Sequence, residues 1–321
     1  MLQAPPALWI SRRPGSRTVF LHGMVMAPCF WQIYAPPACR LGMSAAYPLP
    51  GHFPWTVGRD VEAMSLPAIL DAYAEAIDRD FVGQPVTLVG HSTGAFMAMG
   101  LAARHPGRIG SLVLMGALSC GGMDGCQPFA MRLLRLPRFG QWGFERLLSY
   151  WISTPGRFID GARACVANAD ERMHSRRDRA AIEQVRQSLL RSRAGEIAAL
   201  VRLLSQTTLS GSLADIACPA LNIVGGMDRV IRPRHQFNIQ SAMPSASTLL
   251  LPRAGHLPMV ERPREVAAAV KAFLHDHGTG PAAGKRPLRP AAGSLHRQPP
   301  ANEKPRSVSA PGSDGLAAHA G

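Results

Sequence analysis

The chain has 321 residues, of which 46% are hydrophobic, and a formal charge of +14. This length suits one α/β domain carrying an insertion, and no apolar run is long enough for an integral membrane segment. Lys271, Lys285 and Lys304 are the only lysines, so the positive charge is dispersed arginine. It forms no basic stripe interleaved with aromatics, which excludes a nucleic-acid partner from the expectations.

Met1 to Arg13 lacks a basic segment followed by an apolar stretch and a small-residue cleavage site, so no secretory signal is expected and a cytoplasmic location is the default. The six cysteines contain no Cys-x-x-Cys pair, which favours free thiols over a disulfide framework; Cys120 and Cys126 are the one pair near each other in sequence. No metal or cofactor motif stands out, and none is expected.

In chain order, Ala7 to Ile10 offers a first short strand, Thr18 to Leu21 a buried strand ending at His22-Gly23, and Ser44 to Tyr47 a weaker one ending at a Pro/Gly turn. Ser65 followed by Leu66-Pro67 reads as a helix start, with Leu66, Ile69, Leu70, Tyr73 and Ile77 at helical spacing up to Gly83-Gln84-Pro85. Val86 to Val89 is a buried strand, Thr93 to Arg104 a helix, and Ile109 to Met115 the next strand. This alternation predicts a mostly parallel sheet flanked by helices.

From 121 to 211 the rhythm changes to amphipathic helices broken at Pro137, Pro155 and Gly195, which reads as a helical insertion over the sheet. Phe129, Leu133, Leu134, Phe139, Trp142, Phe144, Trp151 and Phe158 are expected mostly in its core, with the remainder lining an acyl pocket. Arg132, Arg135 and Arg138 read as a solvated face. The alternation resumes with a strand at Ala220 to Val224, a helix near Arg234 to Ala242, a strand at Ser247 to Leu251 and a helix from Pro263 to about His275. The expected division is therefore a core of 1–120 and 212–278, a cap of 121–211, and a Pro/Ala/Gly-rich tail of 279–321 that is too poor in large apolar residues to order itself.

Gly90-His91-Ser92-Thr93-Gly94 lies between a buried strand and a helix, the setting a nucleophile elbow requires. Small residues two positions either side of Ser92 let strand and helix pass closely around a strained turn. A serine hydroxyl needs a neutral imidazole to take its proton. His256 is the candidate base, in a loop after the last strand with Gly255 beside it.

The imidazole needs a carboxylate to fix its tautomer. Asp228, beyond the strand Ala220 to Val224, is the first choice; Asp124, after the strand Ile109 to Met115, is a rival that reaches the same region. The oxyanion of a tetrahedral intermediate needs preplaced N–H donors, expected from Thr93 and from Met24. His22 and Gly23 are expected to support that loop, and Gly90, His91 and Gly94 the elbow.

These residues resemble the α/β-hydrolase superfamily, in the branch of serine esterases, lipases and related enzymes with a helical cap. The likeness spans Thr18 to His275 and rests on His22-Gly23 with Trp31 beyond, Pro50-Gly51-His52, the Ser92 elbow, Asp228 and His256, in the order Ser, Asp, His. It implies an eight-stranded, mostly parallel sheet and a pocket beneath the cap. Two departures stand out: Phe53-Pro54-Trp55 makes the loop after Pro-Gly-His apolar, and the N-terminal hairpin is abbreviated, so one or two edge strands are expected to be missing. The expected activity is hydrolysis of a small-molecule carboxylic ester through an acyl-enzyme. Thioester hydrolysis or acyl transfer is the alternative, and a non-catalytic receptor on the same fold is the alternative of another class.

Overall fold

Seven strands carry the architecture: β1 (Leu8–Arg12), β2 (Arg17–Leu21), β3 (Met43–Tyr47), β4 (Val86–His91), β5 (Ile109–Met115), β6 (Ala220–Gly225) and β7 (Ala246–Leu251). In the computed structural model, which describes residues 2–121, 132–136, 139–169 and 175–279 (the Arg59 side chain excepted), they form one sheet in the order β1-β3-β2-β4-β5-β6-β7. β1 runs antiparallel to β3 and every other pairing is parallel. Seven strands among the described residues is one fewer than the resemblance implies, as expected if an edge strand is missing.

The strand pattern follows from which face each side chain meets. Val19, Leu21, Ala45, Tyr47, Leu88, Leu112 and Leu114 join one core; the intervening Phe20, Ala46, Val89, Val113 and Met115 join the other. Both faces are therefore dry, and the central strands read as continuous apolar runs rather than as alternating ones. α2 (Leu66–Phe81) and α3 (Thr93–Arg104) close the first face. α1 (Phe30–Tyr34) and α10 (Pro263–His277) close the second. α2 starts where Ser65 accepts a bond from the Ala68 N–H at 3.3 Å and stops where Val82 turns left-handed (φ 53°).

Between β5 and β6 stand α4 (Gly140–Ile152), α5 (Pro155–Ala162), α6 (Arg176–Leu190) and α7 (Ala194–Ser205). The chain enters and leaves this region through a narrow neck, where Cys120 and Thr208 form an antiparallel bridge and the Leu209 N–H donates to Ser119 O at 2.8 Å. The apolar loop at 50–58 meets the same region. Arg193 N–H donates to Gly51 O at 2.8 Å, the Glu196 carboxylate accepts from the Val57 and Gly58 N–H groups at 2.7 and 3.0 Å, and Arg191 stacks on Phe53 at 3.6 Å. Phe53 thus serves as a platform for that guanidinium.

α8 (Pro233–Ala242) packs on β6 and β7, and the short α9 (Pro258–Glu261) precedes α10. Among the described residues no helix is long and apolar enough to cross a membrane. Cys29, Cys39, Cys120, Cys165 and Cys218 are free thiols. Asp124, Cys126, Phe129, Arg138 and the tail from 280 lie outside the described residues.

Candidate active site

β4 hands the chain to α3 through Ser92, whose backbone sits at φ 52°, ψ −118°. A non-glycine residue there is strained, and the surroundings hold it. The Ser92 N–H extends the β4–β5 ladder by donating to Met115 O at 2.9 Å, and Ser92 O already accepts from Ala95 and Phe96 of the new helix. The flanking glycines are sterically required. A Cβ on Gly90 would lie 2.6 Å from Ala95 Cα, and one on Gly94 would lie 2.2 Å from Leu21 O of the neighbouring strand.

His256 follows β7 and is 4% exposed. Its Nδ1–H donates to Asp228 Oδ2 at 2.8 Å. The carboxylate can only accept, so the proton resides on Nδ1 and Nε2 is left as the acceptor. The Asp228 side chain is fully buried. Its Oδ1 takes the N–H groups of Val230 and Ile231, both at 2.8 Å, and its Oδ2 also takes Gln236 Nε2 at 2.8 Å. Gln236 Nε2 donates in addition to Ile231 O, while Asn222 Nδ2 of β6 donates to Gln236 O. Sequence reasoning missed Gln236 and Asn222. The turn formed by Asp228 with Val230 has a local signature, but a glutamine eight residues downstream does not.

Three further histidines surround the site in closed, apolar settings. His22 donates from Nδ1 to Gly23 O at 2.8 Å and accepts the Leu49 N–H on Nε2 at 3.1 Å, so both ring nitrogens are engaged. His91, between strand and nucleophile, donates from Nε2 to His256 O at 2.8 Å. Burial holds the pKa of His22 and of His91 well below the ordinary imidazole range; repulsion from His52 adds to the first and from His256 to the second. Burial likewise lowers His52 to about 4. These rings remain neutral at pH 7.

Gly23, Met24, His91, Ser92, Thr93 and His256 share the wall of a single cavity of about 720 Å³. Thr93 is the first residue of α3, where N–H groups have no partner within the helix and the dipole favours negative charge. Val25, next to Met24, adopts φ 56°, an unusual conformation for a β-branched residue that no sequence signal announces. Gly23 fits because a Cβ there would lie 2.8 Å from His91 Nδ1. The loop after β2 is thereby pressed against the elbow.

The rest of the cavity wall is mostly apolar. Phe30 and Phe96 come from the sheet side; Phe144, Trp151, Phe158 and Val201 come from the helices between β5 and β6. Tyr34, whose hydroxyl donates to Asp178, supplies a polar spot. Of the aromatics assigned to the interior of this region, Phe139 and Trp142 instead face solvent at 69% and 64% exposure. The helix turns its Phe144, Leu148 and Ile152 face inward, and a spacing of two from Trp142 to Phe144 puts the former on the other side.

The model of the alpha/beta hydrolase family matches residues 18–269. Two pimeloyl-(acyl-carrier protein) methyl ester esterases are similar along most of their length. The protein of Aeromonas hydrophila subsp. hydrophila is 26% identical over 265 residues, covering 81% of this chain and 96% of its own. That of Stenotrophomonas maltophilia is 27% identical over 266 residues, covering 81% and 93%. Among solved structures, a thermophilic esterase from Thermogutta terrifontis superposes with a TM-score of 0.64 at 21% identity, covering 82% of this chain and 91% of that one. An enol-lactonase from Burkholderia xenovorans LB400 does so with 0.64 at 16% identity, covering 81% and 92%. The chain belongs to the alpha/beta hydrolase family and is an enzyme of the hydrolase class.

Proposed function

We propose that the chain is a serine hydrolase of carboxylic esters, working through an acyl-enzyme on Ser92. The observation that carries this reading is the buried 2.8 Å bond from His256 Nδ1 to Asp228, beside a cavity that Ser92 and His256 line together. With Nδ1 protonated, His256 Nε2 is free to take the Ser92 hydroxyl proton as Oγ attacks the ester carbonyl. Asp228 stabilises the imidazolium that forms, and four donors around its carboxylate hold it fixed. The N–H groups of Met24 and Thr93 receive the oxyanion. His256 then protonates the departing alcohol, and water repeats the sequence to release the acid. His91 and His22 serve position rather than proton transfer, since burial keeps both neutral, both His22 ring nitrogens bind backbone and His91 Nε2 is tied to His256 O.

In this reading 1–120 with 212–278 form the catalytic core and 121–211 the cap, whose aromatic residues accept the apolar part of the substrate. The finer proposal is that this substrate is an ester of an acyl chain borne on a carrier. The relatives act on a methyl ester of pimeloyl-(acyl-carrier protein), and a mostly apolar cavity of about 720 Å³ suits such a chain. A fluorophosphonate should label Ser92 covalently, with no label in Ser92→Ala. A panel of free acyl methyl esters and their carrier-bound counterparts, read by kcat/KM, tests the substrate. Folded wild-type protein that takes up no label would overturn the serine mechanism, and equal kcat/KM for free and carried esters would overturn the carrier.

A further inference from the structure

One buried carboxylate has no part in the relay above. Glu261 closes α9, five residues beyond His256, and is 3% exposed. Its Oε1 accepts the Gly255 N–H and its Oε2 the Ala167 N–H, both at 2.7 Å. Gly255 belongs to the loop that presents His256, whereas Ala167 belongs to the region between β5 and β6. The same two segments meet a second time where the His256 N–H donates to Cys165 O at 2.8 Å. They are in close contact as well, because a Cβ on Gly255 would lie 2.7 Å from Ala167 N.

Such a bridge is demanding. A buried carboxylate is stabilised only by groups that satisfy it, and each oxygen here accepts an N–H hydrogen bond from a different segment. Without the carboxylate the buried Gly255 N–H and the half-buried Ala167 N–H lose their acceptor together. The peptide units on both sides of His256 depend on this arrangement: its N–H is held by Cys165, its carbonyl by His91, and the preceding N–H by Glu261. The side chain is thus aimed by Asp228 and its backbone by three separate elements.

We propose that Glu261 is a positioning residue that fastens segment 165–167 to the His256 loop, so that the base is aligned only while that segment is seated. The proposal rests on His256 being the general base. Seating depends on the helical region that also walls the cavity, where Cys165 and Val166 line it. Misplacement of a base by about 1 Å costs on the order of 100-fold in rate.

The test compares Glu261→Gln and Glu261→Ala with wild type on p-nitrophenyl butyrate, well below each protein's Tm, with His256→Ala alongside. Glutamine keeps the size and one acceptor, so kcat should fall about tenfold in Glu261→Gln and about 100-fold in Glu261→Ala. KM should change less than threefold, and the rate of fluorophosphonate labelling at Ser92 should fall in step with kcat. A purely structural glutamate would instead lower Tm while leaving kcat and labelling rate within threefold of wild type, which would overturn the proposal. The isosteric Glu261→Gln keeps this decision open if Glu261→Ala does not fold. Activity that survives His256→Ala would instead sink the reading of the base, whereas its loss there with full kcat in both Glu261 variants would remove Glu261 alone.

Discussion

The carboxyl edge of the sheet and the helices between β5 and β6 face each other across the same cavity, yet they are held by different forces. At the edge, Ser92, Asp228 and His256 leave the ends of β4, β6 and β7 on loops pinned by backbone hydrogen bonds and by glycines that tolerate no side chain. The helical side relies on packing of Phe144, Leu148, Val185, Ile197 and Val201, with a few polar ties to the loop at 50–58 and to the His256 loop. Hydrogen bonds to fixed backbone specify position within tenths of an ångström, whereas apolar packing specifies volume and tolerates exchange. The rigid edge therefore suits the chemistry and the packed helices suit the choice of substrate.

The largest effect expected from breaking this division is Gly94→Ala. One methyl group would lie 2.2 Å from Leu21 O, so α3 must leave β2. A loss of about 3 kcal/mol or more follows, together with hydrolysis, and urea unfolding with activity at matched folded fraction measures both. A stable, active variant would show that the elbow yields as readily as the helices do.

Acid should act on the edge through its buried neutral histidines. The folded pKa of His52 is depressed to about 4 from 6.5, and those of His22 and His91 are depressed too. The unfolded chain then binds these protons more readily than the folded one, so their contribution is fully present above pH 6.5 and lost as pH falls toward 4. Each histidine that titrates only on unfolding contributes a slope of about 1.4 kcal/mol per pH unit in that window. Urea midpoints from pH 7.5 to 4.5 should decline along this window, and less steeply in His52→Gln; an unchanged slope there would remove His52 from the account.

The smallest effect on turnover should come from the helical side. Phe144→Ala widens the cavity without touching the edge, so KM for hexanoyl and longer esters should shift about tenfold while kcat stays within threefold. A variant that keeps KM and loses kcat would place Phe144 with the chemistry instead.

The same contrast governs what could be read before folding. Strands and the elbow were legible because burial on two faces and a Gly-x-Ser-x-Gly between strand and helix leave local marks; observed strand ends lie within two residues of the expected ones. His256 and Asp228 were legible as loop residues after strands, and their 2.8 Å contact is a product of β6 and β7 lying side by side. Gln236, Glu261 and the left-handed Val25 were not, because each acts through a partner distant in sequence or through a backbone angle no composition encodes. Phe139 and Trp142 were misassigned for a related reason: hydrophobicity marks a helix, but the face it buries depends on what packs against it.

The central claim is that Asp228, through His256, activates Ser92, and a pair of amide substitutions tests it most directly. With ester hydrolysis measured between pH 6 and 9, Asp228→Asn should fold normally and lose about 10⁴-fold in kcat, because an asparagine supports the wrong imidazole tautomer and cannot stabilise the imidazolium. Asp124→Asn should stay within threefold of wild type. A crippled Asp124→Asn beside an active Asp228→Asn would contradict the claim.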